Sequence, residues 1–221
     1  MNGLHVDSVI KEFDSRQILT DIFISCKKGE IIGLLGRNGT GKSTLMKIIF
    51  GSLLADRKFV KVDNKLVTTL FGSRKLINYL PQDHFLPNHI KIRNIISLFC
   101  TKTNAEILFN HKLVMPLLSK RSQQLSGGER RLIEIFMIIY SDAKFILIDE
   151  PFNGVAPVYK DEIKSHIITE SKYKGFIVSD HDYRNVMDVS TRIVLLYDGG
   201  TKVIKNIDEL KLLRYIPEGV S

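Results

Sequence analysis

Gly36-Arg37-Asn38-Gly39-Thr40-Gly41-Lys42-Ser43 follows the apolar run Glu30-Ile31-Ile32-Gly33-Leu34-Leu35 and opens a helical segment reaching about Phe50. A buried strand, a glycine-rich turn and a helix in that order form a phosphate cradle. Glycines let the backbone aim several N–H groups at one anion, and the helix adds its positive end. Lys42 can then reach the outer phosphates of a nucleotide, and the Ser43 hydroxyl can ligate a Mg²⁺ ion beside them. A glycine-rich turn that binds nothing is the competing reading, and the flanking strand and helix weigh against it. Residues Gly36 to Ser43, with Thr44 after them, are the first candidate nucleotide contacts. Alone they define only a broad class of nucleotide-binding proteins.

Outward from this loop, strand-like and helix-like segments alternate. Phe145-Ile146-Leu147-Ile148, Gly175-Phe176-Ile177-Val178-Ser179 and Arg192-Ile193-Val194-Leu195-Leu196-Tyr197 read as further strands. Their spacing predicts an α/β fold around a mainly parallel sheet. Two extended segments near Leu4 to Ile10 and Ile18 to Cys26 predict an N-terminal β region, which we expect to be antiparallel. From about His84 to Ala143 the pattern turns helical. Ile92, Ile95, Ile96 and Phe99 are spaced for one helix face, and a helix from near Ser126 carries Leu132, Ile135, Phe136 and Ile139 inward. Both stripes are read as core packing. The expected layout is one unit over 1–221, its α/β core formed by 1–83 and 144–221 and a helical subdomain inserted at 84–143.

The apolar strand before Asp149-Glu150 ends in two acids. A carboxylate at a strand's C-terminal edge near the phosphate cradle suits a Mg²⁺ ligand, so Asp149 takes that part. Glu150 points elsewhere and can orient or deprotonate an attacking water. A surface turn after a core strand is the bland alternative.

Leu125-Ser126-Gly127-Gly128-Glu129, lying between the cradle and that acidic strand, resembles the signature of the ATP-binding cassette (ABC) family. Physically it is another helix N-terminus: Ser126 caps, Gly127 and Gly128 permit close approach, and free N–H groups can hold a γ-phosphate. The resemblance spans Leu4 to about Tyr215. It implies a head-to-tail dimer, a homodimer by default, with two ATP molecules between the chains and Ser126, Gly127, Gly128 and Glu129 facing the partner's nucleotide. It also implies that Gln82, in Tyr79-Leu80-Pro81-Gln82, senses metal and water, and that His181, in Ser179-Asp180-His181-Asp182, contacts the γ-phosphate. The implied catalytic set is therefore Glu150, His181, Gln82 and Lys42, and the implied Mg²⁺ ligands are Ser43, Gln82 and Asp149. Phe13 stands where the family stacks an aromatic on adenine, although it could equally belong to the core of the N-terminal β region.

The stretches Leu125 to Arg131, Asp149 to Val155 and Ser179 to Val186 look like the ATPases of lipopolysaccharide export and branched-chain amino-acid import. One departure is Ala156, in Gly154-Val155-Ala156-Pro157, where many members carry an aspartate that communicates across the dimer. The branched-chain group tolerates a similar Ala-Pro.

The 221 residues carry a net charge of +8, but the basic residues are scattered in ones, twos and threes without a polybasic arm. A solvated cationic surface is the reading, and no nucleic-acid partner is expected. No run approaches the roughly 20 apolar residues of a bilayer-spanning helix. Transport would therefore need a separate transmembrane permease, with residues from Phe85 to Arg93 as candidate docking positions beside Gln82. The expected location is the cytoplasm, peripheral to the inner face of the membrane. Cys26 and Cys100 have no metal-type spacing and are read as buried reduced thiols. A soluble ABC ATPase without a transport role, as in iron–sulfur assembly, is the alternative function.

Overall fold

The computed structural model describes residues 2–70 and 75–217. In chain order the elements are β1 (Leu4–Phe13), β2 (Arg16–Cys26), β3 (Ile31–Leu35), α1 (Lys42–Phe50), β4 (Arg57–Val62), β5 (Lys65–Leu66) and β6 (Ile77–Leu80). There follow α2 (Ile92–Phe99), α3 (Lys102–Phe109), two 3₁₀ turns, α4 (Gly127–Ile139), β7 (Phe145–Asp149), α5 (Pro157–Ser171) and β8 (Gly175–Ser179). The chain closes with α6 (Tyr183–Val189), β9 (Arg192–Tyr197), β10 (Gly200–Ile204) and α7 (Ile207–Leu212).

The strands join in the order β5-β4-β1-β2-β10-β9-β3-β8-β7-β6. From β9 to β6 every pairing is parallel. The N-terminal strands β1, β2, β4 and β5 pair antiparallel, as expected for that region. β3, β7 and β8 are buried at every position. They read as unbroken apolar runs because both faces of a parallel sheet are covered.

Alternate residues serve opposite faces. Ile146, Ile148, Phe176 and Val178 pack with Leu132, Ile135 and Phe136 of α4 and with Ile163 and Ile167 of α5. Ile32, Leu34, Leu147 and Ile177 pack with Leu45, Met46, Ile48 and Ile49 of α1. The four residues expected to point inward from α4 are fully buried, and so are Ile133 and Glu134, since this helix is enclosed nearly all round. On α2 the stripe is shorter than expected. Ile92, Ile95 and Ile96 are buried, but Phe99 is 38% exposed at the helix end and is not a core residue.

Parallel topology places all the strand C-termini on one edge, the usual position for a ligand crevice in such sheets. Leu35 leads into the glycine loop, Leu80 into Pro81-Gln82, Asp149 into Glu150, and Ser179 into Asp180-His181. Both thiols lie buried away from this edge. Burial pushes each up to about 12, so neither is a thiolate near neutral pH.

Candidate functional site

The glycine loop is shaped by close packing. A Cβ on Gly36 would stand 2.8 Å from the Leu196 carbonyl oxygen. Gly41 has φ +101°, and a Cβ there would meet Ile18 Cγ2 at 2.7 Å. Gly41 is also the N-cap of α1 and offers no side-chain acceptor. The first-turn amides of α1 thus lack side-chain caps, which suits an anion.

Lys42 is buried and folds back over the loop, donating from Nζ to the carbonyl oxygens of Gly36 at 2.6 Å and Arg37 at 3.2 Å. Burial lowers its pKa, while Asp149, Glu150 and Asp180 act in the opposite direction. No ion pair of Lys42 occurs within 4.0 Å among the described residues. An ammonium group held only by carbonyl oxygens beside uncapped amides fits a phosphate ligand.

Asp149 is fully buried. Its Oδ1 accepts from Ser179 Oγ at 2.7 Å and its Oδ2 from the Tyr79 hydroxyl at 3.2 Å. Both donors are neutral hydroxyls, a setting that suits a metal-ligating carboxylate. Gln82 Nε2 donates to Ser43 Oγ at 3.3 Å, which brings two of the expected Mg²⁺ ligands together. The residues present fit the ion.

Glu150 has φ +51°, a left-handed conformation costing about 1–2 kcal/mol for a residue with a Cβ. Both its backbone groups are tied. Its N–H donates to the Ser179 carbonyl at 2.9 Å, and its own carbonyl accepts from Arg131 Nη2 at 3.3 Å. The turn places Glu150 on a pocket of about 470 Å³ shared with Phe13, Asn38, Gly39, Gly41, Lys42, Ser43, Thr44 and Gln82, and its carboxylate Oε2 accepts from Asn153 Nδ2 at 3.4 Å. Phe13 is 43% exposed on this pocket, so the core reading of that residue falls. Lys11 Nζ lies 4.9 Å from its ring centroid.

Other expected contacts lie elsewhere. Arg37 and Thr40 turn their side chains into a separate cleft with Leu213, Arg214 and Tyr215, and Arg37 Nη2 donates to the Arg214 carbonyl at 2.6 Å. His181 does not line the loop pocket; its side chain is 55% exposed, with Nδ1 3.2 Å from Asp180 Oδ1. Ser126 caps α4 by accepting from the Glu129 amide at 3.2 Å, and the Glu129 carboxylate accepts from the Ser126 amide at 2.8 Å. The hydrogen bond from the Ser126 amide holds the Glu129 pKa low. None of Ser126, Gly127, Gly128 and Glu129 lines the loop pocket. Gly127 lines an adjoining cleft instead, with Gln82 and Glu150 in the wall between the two.

Several supporting residues carry no local sequence signal. Asp180 is fully buried and accepts from the amides of Phe152 at 3.1 Å and Asp182 at 3.0 Å, bracing the turns after β7 and β8. Arg131, on α4, donates to the carbonyls of Pro81 at 2.7 Å and Asp149 at 2.9 Å. It therefore ties the Gln82 loop and the acidic strand to the signature helix. Buried Glu134 accepts from the Phe85 amide and pairs with His84 at 2.9 Å.

Ala156 is the N-cap of α5 and provides no side-chain acceptor, with Pro157 at the first helical position. Ala156→Asp is expected to cap this helix and raise unfolding stability by about 1 kcal/mol. Chemical denaturation of the two proteins measures it, and a lower midpoint for the variant would count against the exposed, uncapped geometry.

A glycine-rich cradle at the carboxyl edge of a parallel sheet, with a buried lysine and a buried carboxylate, defines a phosphate-binding-loop nucleotide-binding protein. The ABC transporter family matches residues 19–153, and the chain belongs to that family. It is an ATP-binding subunit and an ATPase of that family. The lipopolysaccharide export system ATP-binding protein LptB of Haemophilus influenzae is 30% identical over 219 residues, covering 92% of this chain and 90% of that protein. LptB of Escherichia coli K12 is 30% identical over 214 residues, with 90% and 88% covered. The expected kinship with lipopolysaccharide-export ATPases is borne out. In fold the chain is similar to the ATP-binding subunit of an ABC transporter, with TM-score 0.85, 21% identity and coverage of 100% and 96%. A nucleotide-free ATP-binding cassette gives TM-score 0.78 at 23% identity, with 99% and 97% covered.

Proposed function

We propose that two copies of this chain close head to tail around two ATP molecules, and that the opening and closing of this pair drives a separate membrane-spanning permease. The observation carrying it is the separation of the two phosphate-binding helix ends. The amides of α1 and Lys42 face the loop pocket, whereas Ser126 and Gly127 are exposed and outside it. A second chain is the natural source of the missing half.

Within each site Lys42 and the α1 amides hold the phosphates, Phe13 stacks on the base, and Glu150 orients the attacking water. Ser43, Gln82 and Asp149 are the residues that would hold Mg²⁺, which when bound would neutralise phosphate charge. His181, held by Asp180 in the turn that follows β8, contacts the γ-phosphate in the closed pair. The partner's Ser126-Gly127-Gly128 amides complete the charge stabilisation.

Among the described residues no helix is long and apolar enough to cross a membrane, and in this reading the permease is a separate polypeptide that the chain docks on from the cytoplasmic side. Of the expected docking positions, Phe85 and Ile90 are each 37% exposed and suitable. Leu86 is buried, its amide 3.4 Å from Glu134 Oε1, and is withdrawn from that role. Leu98 is 82% exposed and joins Phe99, Phe50 and Leu70 along a groove of about 920 Å³. Transport names among the relatives favour this reading over iron–sulfur assembly.

Ser126→Arg tests the two-chain site. The variant is expected to keep ATP affinity within about 3-fold and to lose about 100-fold or more in turnover, as loss of an oxyanion-type donor does. Equal loss of binding and turnover would place Ser126 in its own chain's nucleotide pocket and refute the arrangement.

A further inference from the structure

His111, Glu162 and His166 bring three ligand-type atoms together away from the nucleotide pocket. His111 Nε2 is 3.0 Å from His166 Nε2 and 3.1 Å from Glu162 Oε1, and His166 Nε2 is 3.5 Å from the same oxygen. Ligands around a tetrahedral zinc ion, with bonds of about 2.0–2.1 Å, stand roughly 3.3 Å apart. The three observed edges bracket that spacing. Two imidazoles and one carboxylate also form a donor set that prefers zinc-class transition metals to Mg²⁺ or Ca²⁺.

The surroundings support ligation. Glu162 and His166 lie one helical turn apart on α5, so both face the same side. His166 Nδ1 is 2.7 Å from the Tyr140 hydroxyl, an outer partner that fixes the ring with Nε2 toward the cluster. The Phe136 ring forms an apolar floor, 4.9 Å from the His111 ring centroid and 4.6 Å from that of His166. Lys112 holds the second carboxylate oxygen at 3.1 Å, leaving Oε1 for an ion. Its ammonium is largely exposed, so water screens its repulsion.

We propose that His111, Glu162 and His166 form a transition-metal site of the zinc class, with a fourth position open to water. Without metal the same atoms share protons. The Leu113 amide donates to His111 Nδ1 at 3.3 Å, so the His111 proton sits on Nε2. Binding moves that proton to Nδ1, gives up the long Leu113 contact, and frees the Nε2 lone pair. The ion ties the loop after α3 to α5, the helix that begins beside Ala156.

Tag-free, nucleotide-free full-length protein titrated with Co²⁺ tests the site. One equivalent is expected to develop visible d–d absorption that Zn²⁺ abolishes. Tyr140→Phe should weaken binding by about 10–100-fold, the usual cost of an outer-shell partner. His166→Ala should remove the absorption, and His5→Ala should leave it unchanged. A second measurement needs no variant: in protein labelled with ¹⁵N at histidine, Zn²⁺ should shift the Nε2 signals of His111 and His166 selectively. Absence of saturable one-equivalent binding, or Zn²⁺ shifts confined to other histidines, would overturn the proposal.

Discussion

Glu150→Gln is expected to cut ATP turnover by about 10²–10⁴-fold while leaving ATP affinity within a few-fold of the parent. The reason is local. Glu150 sits in a left-handed turn with φ +51°, both of its backbone groups hydrogen-bonded, and it lines the loop pocket. A glutamine of the same shape keeps that turn and its bonds, so binding survives. What disappears is the negative charge that orients and deprotonates water. Asp149 cannot substitute, because both its oxygens are engaged by Ser179 and Tyr79 in the buried layer beneath. Steady-state phosphate release and equilibrium binding of a fluorescent ATP analogue separate the two effects. Unchanged turnover with Mg²⁺ present would remove Glu150 from the chemistry.

Lys42→Ala has the opposite signature. The Nζ group is bonded only to the Gly36 and Arg37 carbonyls, so it is poised to exchange them for phosphate oxygens. A charge-assisted hydrogen bond of this type contributes about 1.5–3 kcal/mol. Its loss predicts ATP affinity lower by about 10–150-fold, and turnover falls with it. Burial depresses the pKa of Lys42, and the three nearby acids oppose that shift. The variant also removes a positive charge that acts on those three acids, so ATP, which adds negative charge, is doubly disfavoured. Parent-like affinity in Lys42→Ala would contradict the placement of phosphate on this loop.

Much of the architecture was legible from residue order. A strand, glycine turn and helix announce themselves locally, and the buried strands β3, β7 and β8 show as apolar runs because both faces are covered. The hairpin of β4 and β5 was not legible, since lysines and exposed positions interrupt its alternation. Helix α5 also escaped notice. It buries only Ile163, Ile167 and Ser171, too narrow a stripe to stand out between charged residues. The loop pocket was readable because its residues come from short contiguous motifs.

Its support was not readable, because the partners are far apart in sequence. Tyr79 meets Asp149 across 70 positions, Arg131 reaches Pro81 across 50, and His84 meets Glu134 across 50. The cluster of His111, Glu162 and His166 was hidden because His111 stands 51 and 55 positions before the other two members. Family resemblance supplied roles for Gln82 and His181, but it is the fold that sets one against Ser43 and turns the other to solvent. It also has Leu86 and Phe99 trading places, the first buried in the interior and the second exposed beside Leu98.

The two-chain nucleotide site is tested most directly by the mass of Glu150→Gln in solution. Light scattering after size exclusion should report a species of about twice 25.2 kDa with ATP and Mg²⁺, and the single-chain mass without nucleotide. Adding Ser126→Arg to that variant should return it to the single-chain mass with ATP still bound. A Glu150→Gln protein that binds ATP yet stays at the single-chain mass in every condition, with parent turnover per chain independent of protein concentration, would contradict the account.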